Sequence, residues 1–170
     1  MSNMFEDQDE RKLIIRLATV SDANMLARSR YLFRSSLSPA SESEVEFIER
    51  CSLWMRERLR EDSLWRCWIV EQDHIPVGNL WMQLIEKIPN PVEEPERHAY
   101  ITNFYVREEA RGKGIGSKML AVALDWAKAK KVDAVILWPT AESRSLYLRH
   151  GFAVREDLLE RIMTEVDEER

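Results

Sequence analysis

Hydrophobic residues follow two different spacings along this chain. Where they recur every three or four positions we predict an amphipathic helix, and where they alternate or run together over a few positions we predict a strand. Helices are predicted over 23–33, over 45–59, from 115 onward and over 142–150. Strands are predicted over 13–17, 64–70, 77–88, 98–106, 133–138 and, with a helix as the alternative, over 153–163.

The predicted boundaries carry residues that suit helix ends and loops. Thr19, with Asp22 three residues later, is typical of a helix N-cap followed by an acidic first turn. Gly151 stands where the last helix should end, and we expect Phe152 to fold back on it. Residues 89–97, "PNPVEEPER", contain three prolines, which predicts a loop rather than a central strand.

The predicted element order is β-α-α-β-β-β-α-β-α-β. A strand, a helix and a strand in succession over 98–138 indicate two parallel neighbours joined by a crossover. The apolar run 133–138 is typical of a strand buried on both faces. We therefore predict an α/β fold with a mixed, mostly antiparallel central sheet flanked by helices. It should form a single domain over 12–170, after a flexible tail over 1–11.

Composition and charge narrow the class of protein. The chain has 170 residues, of which 45% are hydrophobic and 32% charged, an ordinary balance for a soluble domain. Its net charge of −5 gives no general attraction to nucleic acid or to an anionic membrane. No apolar run approaches the ~20 residues of a membrane span, and the acidic start lacks a signal peptide's apolar region. We expect a cytoplasmic protein in which Cys51 and Cys67 are reduced, without a disulfide or a metal site.

The most informative segment is "RGKGIG", residues 111–116, between a predicted strand and a predicted helix. Three of the chain's five glycines lie here, at Gly112, Gly114 and Gly116, although glycine inside a helix costs about 1 kcal/mol relative to alanine. The first N–H groups of a helix lack intrahelical partners and favour anions. Arg111 and Lys113 add positive charge, so the segment predicts a site for a phosphate or diphosphate.

Three known patterns of phosphate-binding loop can be compared with this segment. The P-loop pattern G-x-x-x-x-G-K-[ST] does not fit in any register. The dinucleotide pattern G-x-G-x-x-G fails because Ser117 or Met119 occupies the position of the last glycine. The pattern R/Q-x-x-G-x-G/A fits, and an ordinary glycine-rich turn stays open as the alternative.

With this loop the sequence resembles the GCN5-related N-acetyltransferase (GNAT) superfamily, in particular a bacterial subset of unassigned substrate. The segments "IRLATVSD" (15–22), "NFYVREEARGKGIGSKML" (103–120) and "LYLRHGF" (146–152) lie in the family's order, with family-like spacing. The resemblance implies acetyl-CoA as co-substrate, with its diphosphate on the loop, and no metal. It also implies an amine partner, small or peptidyl, and a homodimer as an assembly to test.

The resemblance further implies a direct attack of a neutral amine on the thioester. Tyr147 matches the family tyrosine that protonates the departing thiolate; packing alone is the alternative role. A backbone N–H near Phe104 would stabilise the oxyanion. The residues implied in cofactor binding are Phe104, Tyr105, Val106, Arg111, Gly112, Lys113, Gly114, Ile115, Gly116 and Thr140.

Other roles stay open. Tyr100 and Trp138 occupy the strand positions at which many relatives carry a glutamate base, so no base is assigned, and His98 could act only through water. Asn103, Trp138 and Arg144 are candidate substrate contacts. Each has an alternative: Asn103 could satisfy a bulged backbone, Arg144 could form an exposed salt bridge, and Thr140 could be a helix cap.

Two tryptophans bear on the substrate. Trp81 and Trp138 are the ones that we would assign to an aromatic acceptor pocket.

The sequence as a whole predicts an acetyl-CoA-dependent N-acetyltransferase that acts on a primary amine. A non-catalytic acyl-CoA-binding sensor is the nearest alternative, favoured by the missing carboxylate, and a nucleotide-binding module is a third. The acceptor and the exact acyl group are left open.

Overall fold

The computed structural model of the protein describes residues 12–163, in two compact units that meet in sequence between Trp138 and Pro139. The predicted tail 1–11 lies outside the described residues. The first unit contains β1 (Leu13–Leu17), α1 (Ala23–Ser35), α2 (Glu44–Arg58), β2 (Trp65–Gln72), β3 (Ile75–Glu86), β4 (Arg97–Val106), α3 (Ile115–Ala129) and β5 (Ala134–Ile136). The second contains α4 (Arg144–Arg149).

The strands form one sheet with the spatial order β1-β2-β3-β4-β5. Neighbouring strands are antiparallel except for β4 and β5, which are parallel and are connected through α3. The predicted fold class, a mixed and mostly antiparallel sheet flanked by helices, is therefore confirmed.

The period-2 alternation of the strands sorts their side chains onto two faces. On one face Cys67, Ile69 and Trp81 pack with α1 and α2 in a buried cluster. On the other face Trp68 contacts Trp126 of α3, with ring centroids 5.5 Å apart. The sheet is thus covered by α1 and α2 on one side and by α3 on the other.

Side chains complete the start of α2 and the start of the short 3₁₀ turn that precedes α1. Ser43 Oγ accepts from the Glu46 N–H at 3.3 Å, and Glu46 Oε2 accepts from the Ser43 N–H at 3.2 Å, which is a capping box. The Thr19 N–H donates to Asp22 Oδ2 at 2.7 Å, in a short 3₁₀ turn just before α1. The predicted N-terminal signal at Thr19 is therefore present.

The last predicted strand is absent. Residues 153–163 have no strand or helix, and Leu159 is 94% exposed. The physical reason is the pattern: in an extended chain Glu156 and Glu160 would interrupt one face, and Arg155, Asp157 and Arg161 the other, so neither face would be continuously apolar. Residues 164–170 lie outside the described part.

β5 is shorter and less buried than predicted. The strand covers three residues rather than the whole run 133–138, and Ala134 is exposed while Val135 and Ile136 are half-buried. Within the described residues β5 pairs only with β4, at the end of the sheet order. A strand at the end of a sheet has one unpaired edge and a neighbour on one side only. An apolar run in such a strand can therefore stay partly exposed.

Candidate active site

The loop that follows β4 is shaped by backbone hydrogen bonds of its own. The Arg107 N–H donates to the Val77 carbonyl at 2.8 Å and ties the end of β4 to β3. The Ala110 and Arg111 N–H groups then donate to the carbonyls of Arg107 and Glu108, at 3.0 and 3.1 Å. These bonds form a 3₁₀ turn over Glu108–Ala110 that aims the chain into α3.

Two glycines of the loop adopt a backbone conformation that other residues avoid. Gly112 and Gly114 both have φ of +74°, and Gly114 is the N-cap of α3. A Cβ built on either glycine would meet no protein atom within 4 Å. The glycines are therefore required by the left-handed backbone, and the space beside them is open. Gly116 lies in the first turn of α3, where it is half-buried.

The backbone donors of this loop are the main feature of the site. Among residues 12–163, the five N–H groups from Gly112 to Gly116 find no acceptor. The Arg111 N–H, in contrast, donates to the Glu108 carbonyl, so the row of free donors begins at Gly112. Five adjacent free donors at the start of a 15-residue helix are suited to an oxyanion.

The two cations of the loop fold back on the backbone. Arg111 Nε donates to the Val106 carbonyl at 2.9 Å, and Lys113 Nζ donates to the Glu109 carbonyl at 3.0 Å. Both side chains therefore help to hold the turn.

A β-bulge interrupts β4 just before the loop. On β3, Asn79 is opposite Tyr105 and Trp81 is opposite Thr102. Two residues of β4, Asn103 and Phe104, are therefore opposite one residue of β3, Leu80. Asn103 has φ of +49°, a region that asparagine tolerates better than most residues. The bulged backbone, which the sequence analysis gave as the alternative role of Asn103, is present.

The bulge changes which side chains of β4 face α1 and α2. Tyr100 and Thr102 face these helices because their β3 partners do, and the extra residue brings Tyr105 to the same face. There Tyr105 contacts Phe33 of α1, with ring centroids 5.0 Å apart. The bulge thus redirects the last residues of the strand that leads into the loop.

The two tryptophans assigned to an acceptor pocket differ. Trp81 is buried in the core and contacts the rings of Trp54 and Trp65 at 6.0 and 6.2 Å, so it packs rather than lines a pocket. Trp138 is 57% exposed and lies edge-on to Tyr100, with ring centroids 5.2 Å apart. Only Trp138 is accessible to a substrate.

In the second unit, the turn before α4 uses Thr140. The Thr140 N–H donates to Ser143 Oγ at 3.0 Å, and the Ser143 N–H donates to Thr140 Oγ1 at 3.3 Å. Thr140 therefore stabilises the turn that precedes α4, whereas the N-cap of the helix itself is Ser143. Arg144 is exposed and has no carboxylate within 4.0 Å in the described part of the chain, so the alternative salt bridge is not found there.

Tyr147 is a buried residue at the end of α4. The helix ends in a Schellman motif: the Gly151 N–H donates to the Leu148 carbonyl and the Phe152 N–H to the Tyr147 carbonyl, each at 3.1 Å. Gly151 has φ of +83°, and the rings of Tyr147 and Phe152 lie 5.6 Å apart. Burial raises the pKa of the Tyr147 phenol, which keeps its proton in place at neutral pH.

His98 lies at the far end of β4 from the loop. Its Nδ1 is 2.5 Å from Asp133 Oδ1, and Lys87 Nζ is 2.8 Å from Asp133 Oδ2. Phe104 is six residues further along the strand, roughly 20 Å at the usual rise per residue. His98 lies beside the ion pair of Lys87 and Asp133 near the start of β4, and it is too distant to act as a base near Phe104.

Sequence reasoning missed one functional candidate, Arg30. It follows Ala23, Leu26 and Ala27 at helical spacing, so it is a cation in the apolar stripe of α1. Its Nη1 donates to Asn103 Oδ1 at 3.0 Å, which places the guanidinium against the bulge. The stripe position was the signal that could have identified it.

Residues 12–163 contain neither a membrane-spanning helix nor a cluster of metal-ligating side chains. None of their helices has the length and apolar content needed to cross a bilayer. Nor do they contain a group of three or more His, Cys, Asp or Glu side chains that could hold a metal ion.

Comparison with known proteins gives the family. The model of the acetyltransferase (GNAT) family matches residues 25–152, and the chain belongs to this family. Acetyl transfer is the general activity that this membership supports. Among curated proteins, no sequence match was found.

Solved structures share the fold at low sequence identity. A predicted acetyltransferase with acetyl-CoA from Clostridium acetobutylicum is 24% identical, with a TM-score of 0.71, and the match covers 89% of this chain and 96% of that one. An aminoglycoside acetyltransferase from an uncultured soil metagenomic sample is 16% identical, with a TM-score of 0.69, and the match covers 94% of this chain and 100% of that one. A ribosomal-protein-alanine N-acetyltransferase from Brucella melitensis biovar Abortus 2308 is 20% identical, with a TM-score of 0.63, and the match covers 91% of this chain and 99% of that one.

Proposed function

We propose that this protein transfers an acetyl group from acetyl-CoA to a primary amine by direct attack of the amine. The observation that carries the proposal is the row of free N–H groups from Gly112 to Gly116. Hydrogen bonds to a charged group contribute about 1.5–3 kcal/mol each, and the helix dipole adds roughly 0.3–1 kcal/mol. A few of them suffice to hold the diphosphate of coenzyme A despite the net charge of −5.

The end of β4 carries the rest of the cofactor in this proposal. The pantetheine arm pairs with the backbone of Phe104, Tyr105 and Val106 as an added strand. A backbone N–H near Phe104 stabilises the oxyanion, a kind of contact whose loss elsewhere costs about 10²–10³-fold in rate. The support is the bulge at Asn103, since a bulge interrupts a ladder and redirects backbone groups.

Tyr147 is the proposed acid. The amine nitrogen bonds to the thioester carbon, the C–S bond breaks, and the thiolate takes the phenolic proton. The nitrogen releases one proton to solvent and the Tyr147 phenolate regains one from solvent, so the reaction of a neutral amine has no net proton change. A phenol whose pKa is raised by burial is protonated at neutral pH and can serve as this donor.

One observation favours the alternative, a non-catalytic acyl-CoA-binding sensor. A lysine-like amine has a pKa near 10.4, so only about one molecule in 2,500 is neutral at pH 7. The strand positions expected to hold a base carry the aromatic pair Tyr100 and Trp138 instead. The two functions differ in whether any amine releases the thiol of coenzyme A.

The acceptor class is not set by the fold. Similar structures with a named acceptor include an aminoglycoside acetyltransferase, a ribosomal-protein-alanine N-acetyltransferase and a glucosamine-6-phosphate N-acetyltransferase. We therefore propose a small or peptidyl primary amine, without choosing between them on fold alone.

Calorimetry and a thiol-release assay test the proposal together. Coenzyme A should bind, whereas pantetheine, which lacks the diphosphate, should bind far more weakly, and ATP and NAD should not compete. Incubation of acetyl-CoA with amines, polyamines, aminoglycosides and peptide N-termini should release thiol with at least one class. Coenzyme A binding without thiol release from any amine would favour the sensor; no coenzyme A binding would refute both functions.

A further inference from the structure

Arg30 is a half-buried cation held by neutral partners. Its Nη1 donates to Asn103 Oδ1 at 3.0 Å, and Asn103 Nδ2 donates in turn to Asn79 Oδ1 at 3.2 Å. Asn79 Nδ2 then donates to Ser29 Oγ at 3.3 Å, which returns the network to α1. Among the described residues these amides and the hydroxyl neutralise no charge, and Arg30 has no carboxylate within 4.0 Å.

A second half-buried arginine of the same unit shows the usual arrangement. Arg16 Nη2 lies 2.9 Å from Asp22 Oδ1 and 2.7 Å from Glu71 Oε1. Its hydrogen bonds to Asp22 are the largest cause of its raised pKa. Burial lowers the pKa of Arg30, so the same residue type experiences opposite environments at the two positions.

Residues of three elements, α1, α2 and β4, influence the pKa of Arg30. Arg34, one turn further along α1, lowers its pKa further, whereas Cys51 of α2 and Tyr100 of β4 oppose that change. None of these neighbours is a carboxylate. Arg30 therefore stays charged, because guanidinium groups keep their proton in proteins, but its charge is only weakly compensated.

The strand face beside Arg30 is incompletely covered. Ala99 and Ile101, which face α3, are buried, while Tyr100 and Thr102, which face α1 and α2, are half-buried. A guanidinium has five N–H donors in a planar fork, and Asn103 is its only hydrogen-bond partner among residues 12–163. Donors therefore remain at a partly open polar surface next to the bulge.

From this geometry we infer that Arg30 binds an oxyanion, a carboxylate or a phosphate, carried by the amine acceptor. This inference rests on the proposed function in placing the acceptor beside the bulge of β4. A planar fork of donors matches a carboxylate or phosphate in two-point contact, and Arg30 is fixed from behind by Asn103. The acceptor class is then an amine that also bears an acidic group, such as an amino acid, an acidic peptide or a phosphorylated amino sugar.

The experiment compares paired acceptors that differ in one acidic group. An amino acid is tested beside its amide, and an amino sugar beside its phosphate ester, in the thiol-release assay with the full chain. Arg30→Met should raise the KM for the acidic member of a pair roughly tenfold to hundredfold, as expected for lost charge-assisted hydrogen bonds. Coenzyme A affinity and the KM for the neutral member should stay unchanged.

Two further variants act as controls. Arg28 lies on the same helix, is 66% exposed and pairs with Glu44, so Arg28→Met should leave both KM values unchanged. Arg30→Lys keeps the charge but loses the fork, and it should raise the KM for the acidic acceptor less than Arg30→Met does. Should Arg30→Met fail to fold, the lysine variant still tests the inference.

A binding assay separates failure of this inference from failure of the proposed function. Succinate and inorganic phosphate are titrated into the protein saturated with coenzyme A, without turnover. If Arg30→Met weakens the binding of either probe and Arg28→Met does not, the inference is supported even when no amine is acetylated. The probe whose binding is weakened then distinguishes a carboxylate from a phosphate. The inference is overturned if acidic and neutral acceptors are used equally well, or if Arg30→Met leaves the binding of both probes unchanged.

Discussion

The starts of α2 and α3 present the same backbone problem with opposite outcomes. Both helices have 15 residues, and each begins with N–H groups that lack intrahelical partners. At α2 the side chains of Ser43 and Glu46 exchange hydrogen bonds with the backbone and complete the cap. At α3 the N-cap is Gly114, which has no side chain to offer, and the N–H groups from Gly112 to Gly116 find no acceptor among residues 12–163.

This contrast distinguishes a helix start that is structural from one that can bind a ligand. A Ser-x-x-Glu cap satisfies the first N–H groups of its own helix, whereas glycines in left-handed conformation leave those donors open to another molecule. We therefore propose that the start of α2 contributes stability and that the start of α3 binds the cofactor. Four changes to the chain test this division.

The largest expected effect concerns turnover and lies outside both helix starts. Tyr147→Phe removes the proposed acid while it keeps the ring that contacts Phe152, so turnover should fall about 10²-fold or more. Coenzyme A affinity should stay within about twofold, since the diphosphate is assigned to α3. Steady-state thiol release and calorimetry measure the two quantities; turnover equal to that of the unmodified protein would remove the role.

The next effect concerns cofactor affinity. Gly114→Ala forces a Cβ into a backbone with φ of +74°, which costs about 1–2 kcal/mol, so the loop should shift and bind coenzyme A about tenfold more weakly or worse. Gly151→Ala is the matched control, because Gly151 has φ of +83° and equally open space. It should lose a similar amount of stability but keep its calorimetric affinity. Equal losses of affinity would contradict the assignment.

A smaller effect is expected at α2. Ser43→Ala removes the side chain that accepts from Glu46, and the free energy of unfolding should fall by about 1 kcal/mol. Chemical denaturation measures this change, and calorimetry should find coenzyme A affinity unaltered. A loss of affinity on this substitution would mean that the two helix starts are not independent.

The smallest effect depends on pH. Hydrogen bonds from Ser43 lower the pKa of Glu46 below its ordinary value. A carboxylate with a depressed folded-state pKa contributes stability that is present above its unfolded pKa, near 4.3, and is lost as pH falls through the folded value. Glu46→Gln should remove part of the stability at pH 6 and flatten its decline below pH 4.5 in denaturation curves. An unchanged slope would show that Glu46 does not cap α2.

Much of the fold could be predicted because its signals are local. Period-2 and period-3.6 patterns predicted the five observed strands and the helices. The cluster of glycines at 112–116, each unfavourable inside a helix, indicated a loop with a special backbone conformation. The segment 153–163 failed because charged residues interrupt both faces that it would have as a strand. β5 was misjudged because an apolar run does not reveal how many neighbours a strand has.

The candidate site was less predictable because it depends on register. A bulge at Asn103 is decided by how β3 and β4 pair, and one residue alone does not encode that pairing. Arg30 was detectable only as a cation at a stripe position of α1. Its partner Asn103 and the next amide of the network, Asn79, lie 73 and 49 residues away in sequence, and only the folded sheet brings them together.

Amide NMR of the α3 start tests the central claim most directly. In a nitrogen-15 spectrum of the full chain, addition of coenzyme A should shift the N–H resonances of residues 112–116 and slow their exchange with water. Pantetheine should leave those five resonances in place, and the N–H of Glu46 should not respond to either molecule. Saturating coenzyme A that leaves the 112–116 resonances and their exchange unchanged would contradict the account.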